Sequence, residues 1–233
     1  MSVIVNEHAS ARDLLLEHCN RRSIWSLGLL WRAVHTIEDV FKNQKRATND
    51  PAVEHAYGTA ITLADLGFGL DLIMIIAALL HDVFEDGDDP KKLRRDVIVY
   101  FWFIGPIIYL IVEALTRKDD KDYYKQLLAF IRLLWWLGVW RAIFIKMSDV
   151  IYNHATIRGF NNYAREMRQH HKASRIVREV AIPARKYVPR KHHPKFDELF
   201  DKLTSDLPVH RQETIDRWRQ RERERDLGYF PVV

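Results

Sequence analysis

The chain has 233 residues, 48% hydrophobic and 29% charged, with a net charge of +5 and a single cysteine, Cys19. That balance excludes a disordered chain and a disulfide-stapled secreted domain. It also argues against a dedicated nucleic-acid stripe, because acids interrupt the bases throughout the most basic tail, RQETIDRWRQRERER at 211–225. One cysteine fits a reducing cytoplasm, and the N-terminal MSVIVNEHASARD has no basic segment leading into an apolar one, so no secretory signal is expected.

Glycine and proline are scarce and apolar residues recur at helical spacing, which predicts an all-α fold. A short helix is expected over 9–19, with Ser10 as its N-cap. The spacing of Leu27, Leu30, Trp31, Val34, Ile37, Val40 and Phe41 predicts a second helix from Ile24 to Lys42. The stretch QKRATNDP (44–51) has loop composition, and a helix through His55 to Leu66 should stop at Gly67. Asp71 begins DLIMIIAALLHD, apolar all round and therefore a buried central helix. The chain breaks at Gly87–Pro90 and resumes as helix over Lys91–Val99. Further helices are expected at 107–116, 121–137, 140–157 and 161–181. Pro183, Pro189 and Pro194 separate a basic C-terminal piece with helices at 195–204 and 209–226. The organisation expected is a helical extension over 1–24, a helical bundle over 25–182 and a C-terminal helical appendage over 183–233.

Two apolar runs need a membrane test. Val97–Val112 is shorter than the roughly 18–20 residues of a span and is broken by Gly105-Pro106; Leu127–Met147 contains Arg132, Arg141 and Lys146. Both read as buried core helices, and no membrane partner is expected. Trp135, Trp136 and Trp140 read as core, with a dimer or partner surface as the alternative.

The most informative run is AALLHDVFED (77–86), where His81-Asp82 ends an apolar segment and Glu85-Asp86 follows about one helical turn on. Imidazole and carboxylate together suit a divalent ion such as Mn²⁺, Fe²⁺ or Zn²⁺, and the lack of thiolate argues against a soft metal. His55 upstream and Asp149 downstream complete a possible ligand set. A phosphohydrolase needs such a set, because the ion acidifies water and offsets charge on phosphoryl oxygens. Glu85 and Asp86 can return to the same helical face to orient or deprotonate that water. Lys45-Arg46, in the loop before His55, and Lys146, three residues before Asp149, offer positive charge for phosphate. Taken singly, His55 reads as a surface or core histidine and Lys45-Arg46 as solvated loop charge; their order along the chain gives them weight.

That order resembles the hydrolase domain of the RelA/SpoT alarmone enzymes, especially the small alarmone hydrolases, an HD-domain helical bundle. The family stretch GQKRKSGEPYxxH is similar to NQKRATNDPAVEH at 43–55, AALLHDxxED to 77–86, LTK to LTR at 115–117, and IKLADRxHN to IKMSDVIYN at 145–153. The resemblance spans about residues 28–182. It implies that His55, His81, Asp82 and Asp149 hold Mn²⁺, that Glu85 and Asp86 serve the attacking water, that Lys45 and Arg46 lie near the substrate, and that Asn153 contacts the nucleotide.

The implied reaction removes the 3′-pyrophosphate of guanosine tetra- or pentaphosphate in the cytoplasm. Rivals are adenosine alarmones, the 2′-phosphate of NADPH, a pyrophosphorylated tRNA in an antitoxin paired with a toxin, and a catalytically silent nucleotide sensor. An oligomer is possible. With no synthetase segment in view, degradation alone is expected. Three departures concern the substrate: Ala52 replaces a tyrosine, Val150 replaces an arginine, and NHATI (153–157) replaces NMRTL. Lys146, His154 or Arg158 would have to restore the lost positive charge.

Overall fold

A computed structural model of the chain describes residues 10–19, 24–46, 50–117, 122–156 and 162–226. These residues form α1 (Ala11–His18), α2 (Ile24–Val40), α3 (Ala52–Leu63), α4 (Leu72–Leu79), α5 (Val83–Asp86) and α6 (Pro90–Tyr100). There follow α7 (Gly105–Leu115), α8 (Tyr123–Leu134), α9 (Arg141–Ala155), α10 (Tyr163–Arg175), the short α11 (Ile182–Ala184) and α12 (His193–Asp226). Among the described residues there is no strand; an isolated antiparallel bridge joins Lys45 and Pro51.

Side-chain caps set several helix starts. Ser10, Asp71, Asp89 and Asn162 each accept a backbone N–H two or three residues into α1, α4, α6 and α10. Such a cap is typically worth about 1 kcal/mol. Helix α3 runs into a widened turn over Ala64–Phe68, where Gly67 takes φ 77°, a left-handed backbone that glycine adopts without steric cost.

Helix α4 is the central element: Met74 to Leu79 are all buried, between α2, α3, α7 and α9. Helices α3 and α9 pack along each other, which brings His55 and Asp149 to one place. Helix α12 lies against α9 and α10, burying Phe196, Leu199 and Leu203.

Several expectations need correction. The helix from Asp71 does not carry His81-Asp82 through to Glu85: it closes at Leu80 (φ −91°, ψ 3°), and α5 starts afresh after Asp82 (φ −101°, ψ −2°). The segment expected as one helix to residue 137 leaves α-geometry after Leu134, tightening to a 3₁₀ turn over Trp135–Leu137 and ending at left-handed Gly138. The two C-terminal helices are one, α12, which passes through Pro208. An interior proline costs about 3 kcal/mol; burial of Leu199 and Leu203 on one side of it and Thr214 on the other holds both halves in line.

The Val97–Val112 run is only partly core: Val99, Trp102 and Phe103 are exposed, whereas Ile108, Ile111 and Val112 are buried. Of the tryptophans, Trp140 is core, but Trp135 and Trp136 are exposed, because the 3₁₀ turn lifts them off the buried face of α8. No helix among the described residues is long and apolar enough to cross a membrane. Cys19 is buried.

Candidate metal centre

His55, on the first turn of α3, points into the space between α4 and α9. His81 and Asp82 sit in the turn that links α4 to α5. This turn is fixed from below: His81 Nδ1 lies 2.7 Å from the Ala78 carbonyl, and the Asp82 carbonyl accepts the N–H groups of Glu85 and Asp86. With Nδ1 committed to the Ala78 carbonyl, Nε2 is the ring nitrogen of His81 that faces the site, and it would offer its lone pair to an ion once its proton is displaced.

The donor atoms converge. His55 Nε2 lies 3.2 Å from His81 Nε2, 3.5 Å from Asp82 Oδ2 and 3.0 Å from Asp149 Oδ1. His81 Nε2 lies 3.1 Å from Asp82 Oδ2 and 4.0 Å from Asp149 Oδ1. Neighbouring ligands of an ion bound at about 2.0–2.2 Å stand roughly 3 Å apart, so this set fits a divalent cation. His55, His81 and Asp82 form the tightest group, and Asp149 closes it from α9.

The electrostatics place two anionic carboxylates against the two histidines and favour positive charge between them. Burial alone would raise the Asp149 and Asp82 carboxyls; Lys146 and His55 pull Asp149 well below the usual range, and His81 does the same for Asp82. Burial lowers His55. For His81, burial is outweighed by Asp82 and Asp149, which push it up to about 9. Lys146 is buried yet held charged, because Asp149 more than offsets its desolvation.

Glu85 and Asp86 stand at the rim. Burial first and the Asp82 charge second raise both carboxyls, which favours accepting a proton. Glu85 Oε1 accepts the Arg117 backbone N–H at 2.6 Å. Lys45 and Arg46 lie in the bridged loop before α3, where Arg46 N–H reaches the Asp50 carbonyl at 2.8 Å. The Arg46 guanidinium donates to Asn153 Oδ1, and Asn153 Nδ2 donates to Asp149 Oδ1. Arg46 and Asn153 are thus linked to the ligand set, while Lys45 is an exposed residue of the bridged loop.

Arg117 was missed as a site residue, although LTR at 115–117 stood among the motifs. With Tyr123 and Tyr124 it lines both a small pocket reaching Lys146, Asp149 and Asn153 and an adjoining cavity of about 200 Å³ flanked by Arg168, Lys172 and Arg175. Positive charge was expected there from Lys146, His154 or Arg158; Lys146 is instead paired with Asp149, and His154 does not line the larger cavity. That residue is instead buried against His170 and His210, and burial lowers it to about 4, so it is neutral. Val150 is buried, and Arg158 lies outside the described residues. A larger hollow of about 340 Å³ between α2 and α6 is lined by Asp39, Asp88, Asp89 and Asp96, which would repel a phosphorylated ligand.

Comparison with known proteins points the same way. The pattern of the HD domain matches residues 33–174. A chloroplastic probable GTP diphosphokinase of Arabidopsis thaliana is 34% identical over 154 residues, 63% of this chain and 20% of its own length. A GTP pyrophosphokinase of Streptomyces coelicolor is 29% identical over 162 residues, 65% of this chain and 17% of its own. A guanosine-3′,5′-bis(diphosphate) 3′-pyrophosphohydrolase of Aquifex aeolicus is 29% identical over 143 residues, 58% and 18% respectively. The chain spans about a fifth of the length of these curated relatives.

Proposed function

The chain belongs to the HD-domain family, in its RelA/SpoT group, and from that premise we propose that it is a Mn²⁺-dependent hydrolase that removes the 3′-pyrophosphate of ppGpp or pppGpp. The observation that carries this reading is the convergence of His55, His81, Asp82 and Asp149 beside two carboxylates of raised pKa and a cation-lined cavity. The relatives bear names for both synthesis and hydrolysis, and the donor set favours hydrolysis for this segment.

His55, His81, Asp82 and Asp149 would hold a divalent ion, which would supply Lewis acidity and positive charge for the phosphoryl oxygens. Glu85 and Asp86 orient the attacking water and take its proton as it adds to the phosphorus bonded to the ribose 3′-oxygen. The O3′–P bond breaks, the departing 3′-oxygen takes a proton, and pyrophosphate leaves carrying the oxygen of water. Lys146 keeps Asp149 anionic. Arg46 and Asn153 grip the nucleotide, while Arg117, Arg168 and Lys172 offset the charge of its phosphates.

The test is product analysis by ion-exchange chromatography after incubating the Mn²⁺-loaded protein with ppGpp, pppGpp, ppApp and NADPH separately. GDP or GTP together with pyrophosphate supports the reading. Products from ppApp or NADPH alone would move the substrate elsewhere, and silence on all four would overturn hydrolysis of small nucleotides.

A further inference from the structure

Two histidines face the candidate metal centre, and they are held by different means. A metal-binding imidazole is ordinarily oriented by a hydrogen bond from its second ring nitrogen. His81 has one, from Nδ1 to the Ala78 carbonyl. The Nδ1 of His55 is buried and meets no hydrogen-bond partner among the described residues. Rotation of the His55 ring is therefore not governed by a hydrogen bond on its far side.

An aromatic ring packs against the imidazole. The Tyr152 ring centre lies 5.5 Å from that of His55, inclined by 50°, and the His81 ring centre lies 5.0 Å from it, inclined by 66°. Tyr152 follows Asp149 by three residues on α9, so one helical face presents both a ligand and this ring.

The ring has room because residue 58 is glycine. A Cβ added at Gly58 would stand 1.9 Å from Tyr152 Cε2 and 2.3 Å from Cδ2, far inside contact distance. Gly58 lies inside α3, one turn after His55, where glycine costs about 1 kcal/mol relative to alanine. Its backbone is not left-handed; among the described glycines, positive φ is found at Gly67 and Gly138. Conformation does not call for glycine at this position, and the Tyr152 ring does.

We infer that Tyr152, seated in the notch left by Gly58, is a positioning residue that fixes the His55 imidazole for metal binding in place of a hydrogen bond. This rests on the metal centre of the proposed function, but not on the identity of the nucleotide. The ring face does the positioning and the hydroxyl does not, so removing the hydroxyl should be silent and removing or displacing the ring should not.

The experiment measures Mn²⁺ affinity of the full chain by electron paramagnetic resonance of the free ion, and the visible band of the Co²⁺-substituted protein. It compares wild type, Tyr152→Phe, Tyr152→Ala, Tyr152→Leu and Gly58→Ala, with circular dichroism as the check on folding. Tyr152→Phe is expected to bind within twofold of wild type. Tyr152→Ala and Gly58→Ala are expected to weaken binding about tenfold and to shift the Co²⁺ band. If either fails to fold, Tyr152→Leu fills the notch without an aromatic face and is expected to show the same loss. Binding within twofold of wild type by the folded Ala or Leu variants would overturn the inference, as would a Phe variant as weak as Ala. A wild-type protein that binds neither ion would overturn the metal centre itself, a result distinct from these.

Discussion

Lys146 Nζ donates a 2.7 Å hydrogen bond to Asp149 Oδ2, and both side chains are more than nine-tenths buried. The other oxygen of Asp149 faces His55 and Asn153. Replacing Lys146 by Met leaves that carboxylate without its cation. Removing one partner of a buried pair typically costs 3–5 kcal/mol. The metal-free Lys146→Met protein is expected to be destabilised by about that amount. Mn²⁺, which supplies charge at Asp149, should restore part of it; thermal unfolding with and without the ion checks both.

Glu85 and Asp86 are placed to handle the proton of the attacking water, and neither is among the converging ligand atoms. Glu85→Gln keeps the size of the side chain and its bond from the Arg117 N–H, yet removes the base. The expected result is a fall in kcat of about 10²–10⁴, with Mn²⁺ affinity within threefold of wild type. Steady-state rates and a metal titration on one preparation decide it. A kcat within fivefold of wild type would remove Glu85 from the chemistry.

Arg46 and Asn153 form the link between the loop before α3 and the metal centre. Arg46→Ala deletes a cation and frees the Asn153 amide. A charged hydrogen bond is worth about 1.5–3 kcal/mol, so KM for the nucleotide should rise roughly 10- to 100-fold while kcat changes little. Initial rates over a substrate series separate the two.

Much of this was legible in the residues themselves. Ligand types at the close of an apolar helix, with a histidine before and an aspartate after, pointed to the centre because imidazole and carboxylate have few other uses together in buried positions. The buried helix Leu72–Leu79 followed from its lack of any polar face. Other features depend on packing that local pattern does not carry. Pro208 marks a break by propensity, yet residues on either side of it find buried partners on the bundle. The break at Leu80 is fixed by the bond from His81 to Ala78, which puts His81-Asp82 in a turn. Trp135 and Trp136 look like core by composition and are exposed because the chain tightens after Leu134. Arg117 is tied to the site through its backbone N–H, which donates to Glu85 Oε1, a contact that its motif does not show.

The junction of α9, α10 and α12 should be acid-sensitive. His154 and His170 pack ring to ring at 4.9 Å, and His170 Nε2 meets Thr214 Oγ1 at 3.1 Å. Burial lowers both to about 4, with His210 beside them and Asp206, Arg211 and Arg217 of α12 nearby. The unfolded chain takes up protons at these histidines near pH 6.5 and the folded chain does not, so stability is present above that pH and falls as pH drops toward 4. Between pH 7 and pH 5 the loss should be on the order of 2 kcal/mol for each histidine. Denaturant unfolding at the two pH values should show it, and His154→Phe should show less.

The central claim is hydrolysis of a 3′-pyrophosphate at the His55, His81, Asp82 and Asp149 centre. Its most direct test is pyrophosphate release from ppGpp by the Mn²⁺-loaded protein and by Asp82→Asn side by side, with bound metal quantified in each. The account predicts stoichiometric GDP and pyrophosphate from the wild type, abolished by chelation and lost in the variant together with tight Mn²⁺ binding. Pyrophosphate release that continues undiminished in Asp82→Asn, or a wild type that binds Mn²⁺ and leaves ppGpp intact, would contradict it.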